Sequence, residues 1–352
     1  MMTHTPYPSI TGIIRTFAPG WFASIMGTGM LAILFLALST EYPALKYVAN
    51  IFYFLNLALF AVLFSAWLLR WFLYPSEAWA TMKHPIQGNF YATPPIALLV
   101  LAAQGLAFGG NLFLVQLAWW AGVLLTYLFS FAILYPIFTG ESVQPEHITP
   151  AQFMPAVGLV VIPVAGGPLL AHMTDTIKEV ALLLNMFGLG AGSLLYIGLF
   201  SLMIHRNYLH KPTTGILTPT LWIQVSPICI IPVSLMNLLP HLNLSSGTEA
   251  GTSKIFALLC LGAALWWLLM CIIITTTAWC KKQLPFALTW WAFIFPLGAL
   301  ANLCLRLFSE THLQTIYIIG VVVIALMTLL WSVTFFKTFL AVFNGSIFAA
   351  PK

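Results

Sequence analysis

Twelve neutral polar side chains are set into five strongly apolar stretches: Ser24, Thr28, Thr93, Gln104, Thr218, Thr220, Gln224, Ser226, Ser234, Asn237, Thr289 and Asn302. Hydroxyls and amides donate hydrogen bonds without carrying a charge. Helix breaks beside them would add backbone N–H groups and positive half-helix ends, a recurrent way of holding an anion. The same stretches contain no Asp or Glu, so a strong cation site or a carboxylate proton relay has no residues to build it. Ser24, Thr93, Gln224, Ser226 and Asn302 are the candidate anion contacts. Each also has a plainer role, packing helix on helix or bonding back to its own backbone.

His84, His147 and His210 recur at intervals of 63 residues, each with a proline within three positions (Pro85, Pro150 and Pro212). Each precedes an apolar stretch, and no Cys or carboxylate cluster surrounds them, so capping and loop structure is expected rather than metal binding. The five cysteines, Cys229, Cys260, Cys271, Cys280 and Cys304, form no Cys-x-x-Cys pair and read as buried thiols. No metal, no cofactor and no clustered catalytic constellation is expected, which argues against an enzyme.

The elements that must position these residues follow from composition. Hydrophobic residues make up 61% of the 352, charged residues 6%, and the mean hydropathy is +0.98. A soluble domain carries roughly 25% charged residues, so lipid must solvate most of this exterior. Within lipid, only helices or closed barrels satisfy the backbone, and apolar runs of about 20 or more residues select helices. The net charge of +5 comes from scattered basic residues, not from a nucleic-acid patch.

The expected fold is all-α and polytopic, a single transmembrane domain over residues 1–352. Its ten spans are approximately 18–38, 47–73, 90–108, 112–138, 153–172, 178–204, 217–239, 253–278, 286–305 and 313–343. No cleavable leader is expected, and the first span should remain as an anchor. An even number of spans places both termini on one side. Nine basic residues share that side against four opposite, so both termini should be cytoplasmic. The histidine period equals one pair of spans and suggests five tandem helical hairpins.

Proline separates the two members of each hairpin. Odd spans hold ten of the 22 prolines, whereas even spans hold only Pro136. Gly27-Thr28-Gly29, Pro163, Pro227 and Pro296 fall near the midpoints of four odd spans and are the candidate kinks and pore-lining positions. Broken backbone at membrane depth must be buried in protein or wetted. Odd helices are therefore expected to form an inner ring and even helices an outer one.

Two segments then resemble a known family. Phe17-Ala-Pro-Gly-Trp-Phe-Ala-Ser-Ile-Met-Gly-Thr-Gly-Met30 is similar to the first-helix signature of the tellurite-resistance/dicarboxylate transporter family, particularly its malic-acid transport and sulfite-efflux branch. Trp290-Trp-Ala-Phe-Ile-Phe-Pro296 resembles the ninth-helix segment shared with the plant slow anion channels and the bacterial tellurite-resistance protein TehA. The resemblance implies a central pore within five inner helices of pseudo-fivefold symmetry and a homotrimer with one pore per protomer. It also implies a ninth-helix phenylalanine closing the pore at mid-membrane, and Phe295 is the matching residue. The expected substrate is a small anion, foremost a malate-like C4-dicarboxylate, with sulfite, chloride or nitrate as alternatives, moved across the cell membrane.

Overall fold

The computed structural model describes residues 9–140, 148–210, 215–242 and 248–348. Among these residues it is all-helical, with ten helices long and apolar enough to cross a membrane. The odd spans centre on α2 (Ala23–Leu38), α5 (Thr93–Ala107), α7 (Met154–Leu169), α9 (Val225–Leu238) and α11 (Ile294–Thr311). The even spans are α3 (Leu45–Leu73), α6 (Leu112–Thr139), α8 (Asp175–Leu209), α10 (Thr248–Cys280) and α12 (Gln314–Phe343). Two short helices, α1 (Ile10–Arg15) and α4 (Pro75–Met82), lie outside the spans.

Burial divides the two sets. In the most apolar window of each span, 72–89% of residues are buried in the odd spans, against 11–39% in the even ones. The packing order explains this: α2 packs on α5, α5 on α7, α7 on α9, α9 on α11, and α11 returns to α2, closing a ring of five. Each even helix packs against the odd helix before it and covers the ring from outside. Small residues permit the close approach. In α8, a Cβ at Gly192 would lie 2.6 Å from Val160 Cγ1, and one at Gly188 would lie 2.8 Å from the Leu159 carbonyl oxygen.

Every odd span begins with a 3₁₀ segment that abuts its α-helix without a gap: residues Pro19–Phe22, Gln87–Ala92, Pro150–Phe153, Gly215–Gln224 and Leu288–Phe293. These segments also touch in cyclic order, a second ring stacked on the first. Proline marks the switch. Pro95, Pro227 and Pro296 are each the third residue of their α-helix and Pro155 the second, inside the first turn where proline is tolerated. The interruption expected near Pro227 and Pro296 thus takes the form of a switch from 3₁₀ to α-helix without a gap. At Gly27-Thr28-Gly29 the helix runs on through α2, and Gly27 and Gly29 allow close packing against Ile294, Val100 and Asn56.

Both ends of the described chain meet at one end of the bundle, which we call the terminal side. There the ring of Trp21 lies 6.3 Å from that of Phe348, and Arg15 pairs with Glu77 at 2.8 Å, docking α1 on α4. At the opposite end the Tyr317 hydroxyl donates to Glu41.

Candidate functional site

The ring surrounds a narrow, partly open cavity of about 20 Å³, room for little more than one water molecule. Its lining comes from all five odd helices and from no even one, and includes Met30, Val100, Val161, Ile230, Phe295 and Asn302. Apart from Asn302 and the thiol of Cys229 the walls are apolar. Water inside finds few partners, so the space favours dewetting over a bound water chain.

Phe295 is the largest ring on this wall and is 5% exposed. It is the second residue of α11, just past the 3₁₀ segment. Six residues at 2.0 Å and two at 1.5 Å place it roughly 15 Å into its span, close to the middle of a 30 Å hydrocarbon layer. Two glycine contacts fix the surrounding backbone. A Cβ at Gly27 would meet Ile294 Cγ2 at 2.8 Å, and a Cβ at Gly298 would meet Met30 Cβ at 2.8 Å. The residues on either side of Phe295 along α11 are thus clamped to α2, the helix that closes the ring.

Of the candidate anion contacts, Asn302 lines the cavity. The hydroxyls of Thr93 and Ser226 sit within 2.8 Å of Phe90 O and 2.7 Å of Ile223 O. Those are the two carbonyls that Pro94 and Pro227, four residues on, deprive of an α-helical donor. Asn237 does the same across helices, donating at 3.3 Å to Val164 O, which Pro168 leaves without a donor. Thr93 Oγ1 also lies 2.6 Å from Pro19 O, joining span three to span one. Ser24 donates to Trp21 O at 2.7 Å. Gln224 differs from all of these: its side chain is fully buried, and neither amide atom has a hydrogen-bond partner among the described residues.

The kink candidates lie outside the cavity wall. Thr28 faces the outer ring and accepts a hydrogen bond from Trp331 Nε1 at 2.9 Å. Gly29 faces Val100 and Asn56, beside the buried contact in which Asn56 donates to Gln104 at 2.9 Å. Pro163 sits within α7, and the Leu159 carbonyl it deprives is the one that Gly188 approaches. His84 caps the following 3₁₀ segment, its Nδ1 accepting from the N–H groups of Ile86 and Gln87 at 3.2 Å. His210 sits at the end of α8, its N–H donating to Arg206 O at 2.8 Å, and His147 lies outside the described residues.

Sequence reasoning missed the apolar wall. Met30, Val100, Val161 and Ile230 are indistinguishable by type from lipid-facing residues. Helical spacing from Phe295 was the one available signal, since positions four and seven further on are Ala299 and Asn302, and both line the cavity.

Comparison with known proteins agrees with this architecture. Residues 16–339 match the SLAC1 family, described as voltage-dependent anion channel. An uncharacterized transporter of Methanocaldococcus jannaschii is 37% identical over 336 residues, covering 96% of each chain. A sulfite efflux pump of Arthroderma benhamiae is 24% identical, covering 92% of this chain and 90% of its own. A malic acid transport protein of Schizosaccharomyces pombe is 20% identical, covering 93% of this chain and 78% of its own. The chain therefore belongs to the SLAC1 family of anion channels and transporters, the family that its first-helix and ninth-helix segments resemble.

Proposed function

We propose that this protein moves C4-dicarboxylates of the malate type across the cell membrane, through the ring of five odd helices, with Phe295 as the gate. The observation that carries the reading is a cavity lined by all five odd helices, with the Phe295 ring on its wall. A narrow apolar passage resists ions by excluding water, and an aromatic ring inside it completes the block without any charge. Neutral amides at Asn302 and Gln224 then suit an anion better than a cation, because no carboxylate stands beside them.

The proposal includes pseudo-fivefold symmetry about a central pore, a homotrimer with one pore per protomer, and cytoplasmic termini. The nine-to-four basic asymmetry supports the last of these. The protein acts as a transporter and not as an enzyme. A second reading, sulfite export, is favoured by the higher identity to the sulfite efflux pump, 24% against 20% for the malic acid transport protein. Chloride or nitrate conduction is the remaining variant. A liposome flux panel with malate, succinate, sulfite, nitrate and chloride, with and without a pH gradient, separates them. Malate or succinate flux above that of the inorganic anions supports the first reading, and flux of sulfite alone replaces it by the second.

A further inference from the structure

Across the five α-helices of the inner ring and the 3₁₀ segments that precede them, the only Lys, Arg, Asp or Glu residues are Arg306 and Glu310 of α11. Arg306 continues a single helical stripe. Phe295, Ala299, Asn302 and Arg306 are separated by four, three and four residues, so their side chains leave α11 on one face. The first three line the cavity. Arg306 stands one turn above Asn302, about 6 Å, and roughly 16 Å above Phe295.

Exposure along the lining stripes shows which way the cavity opens. On α11, Phe295 and Ala299 are buried, Asn302 is half-buried and Arg306 is exposed. On α5 the sequence Val100, Ala103, Ala107 passes from buried through half-buried to exposed, as does Val161, Val164, Pro168 on the span of α7. Towards the terminal side the stripe closes instead: Trp291, one turn before Phe295, is 1% exposed, and Thr93 and Gln224 are fully buried. The result is a funnel that opens away from the termini, floored near Phe295, with one guanidinium on its rim.

That guanidinium is weakly committed. Its one protein acceptor among the described residues is Glu310 Oε1 at 3.4 Å, while Lys254 Nζ holds the other carboxylate oxygen at 3.1 Å. Two cations share one carboxylate, so this cluster of three side chains carries a net positive charge. A guanidinium presents five N–H donors in a fork matched to the oxygens of a carboxylate or similar oxyanion. Among the described residues, most of that fork has no acceptor.

We propose that Arg306, with Asn302 one turn below it, is an oxyanion-capture site at the mouth opposite the termini. It loads carboxylates or sulfite into the funnel above Phe295, and Glu310 is the internal anion that the substrate displaces. This rests on the reading that anions pass through the cavity, and two readouts keep the two claims apart. In detergent, malate and sulfite should each raise the melting temperature of the full-length protein. Arg306→Gln should abolish the rise while melting normally without ligand, and Arg306→Lys should restore part of it. In liposomes with malate presented on the Arg306 face, Arg306→Gln should raise KM by roughly tenfold or more, the order expected for a lost charge-assisted hydrogen bond, with Vmax within about twofold. Glu310→Gln should lower KM, and chloride flux should respond less than malate flux in both variants. Malate binding that depends on Arg306 in a protein that moves no anion would uphold the capture site and defeat the pore. Normal flux with an unchanged KM in Arg306→Gln would uphold the pore and overturn the capture site. Equal stabilisation of wild type and Arg306→Gln, or no stabilisation of wild type by malate or sulfite, would also overturn it.

Discussion

Gly27 of α2 lies so close to Ile294 of α11 that a Cβ added to it would stand 2.8 Å from Ile294 Cγ2 and 2.9 Å from Ile294 Cβ. Ile294 immediately precedes Phe295, so this contact between the first and last helices of the ring sets the backbone that aims the cavity's aromatic ring. The Ile294 atoms involved are near the main chain and cannot swing aside. Gly27→Ala should therefore cost about 1–3 kcal/mol, the usual range for overpacking. Ile294→Ala alone should cost about 2–5 kcal/mol, and because alanine removes Cγ2 but keeps Cβ, Gly27→Ala with Ile294→Ala should cost less than the sum of the two single changes. Thermal melts of the three variants measure the coupling, and additive effects would show that the contact is not shared.

Thr28 belongs to the scaffold by the same kind of evidence. Its fully buried hydroxyl accepts from Trp331 of α12, 303 residues away in sequence. Thr28→Val keeps the shape and strands the indole N–H, so stability should fall by about 1–3 kcal/mol. Anion selectivity, measured as the ratio of malate to chloride flux, should not change.

Gln224 should behave in the opposite sense. A fully buried amide without partners is costly, and Gln224→Leu should raise stability by about 1–3 kcal/mol. If the amide is kept for the anion, the same substitution should lower malate flux, a trade of function for stability. A variant that is both more stable and fully active would assign Gln224 to packing.

Helix α1 is tethered by Arg15, whose hydrogen bond to Glu77 holds the Glu77 carboxyl below its ordinary value of 4.5. A depressed carboxylate contributes its stabilisation above the unfolded-state value and loses it as pH falls through the folded-state value. Docking of α1 on α4 should thus be unchanged from neutrality down to about pH 4.5 and loosen only below it. Hydrogen exchange in residues 10–15, corrected for the intrinsic pH dependence, should show this. Glu77→Gln should be loose at every pH.

Much of this architecture can be read from residue types. Ten apolar runs give the spans, and proline confined to odd spans gives the inner ring, because only protein-covered helices tolerate so many missing donors. What the sequence conceals is physical in origin. Apolar types cannot distinguish a wall of the cavity from a face in lipid, so Met30 and Val161 carry no mark. Hydroxyls near prolines look like ligands until their carbonyl partners are located, as with Thr93 and Phe90 O. The end of span nine was expected at residue 305, yet α11 runs to Thr311, because Arg306 and Glu310 extend a helix whose charged end has left the hydrocarbon layer. That displacement hid the one cation on the inner ring.

The gate itself is tested most directly by purified Phe295→Ala protein reconstituted in liposomes beside wild type. One face of the Phe295 ring already borders the cavity, so truncation should cost less than the 3–5 kcal/mol of a Phe packed on all sides. Malate flux should rise several-fold, with expression and melting temperature close to wild type. A Phe295→Ala protein that melts at a much lower temperature and conducts no more than wild type would contradict the account, leaving Phe295 a packing residue and the cavity closed by something else.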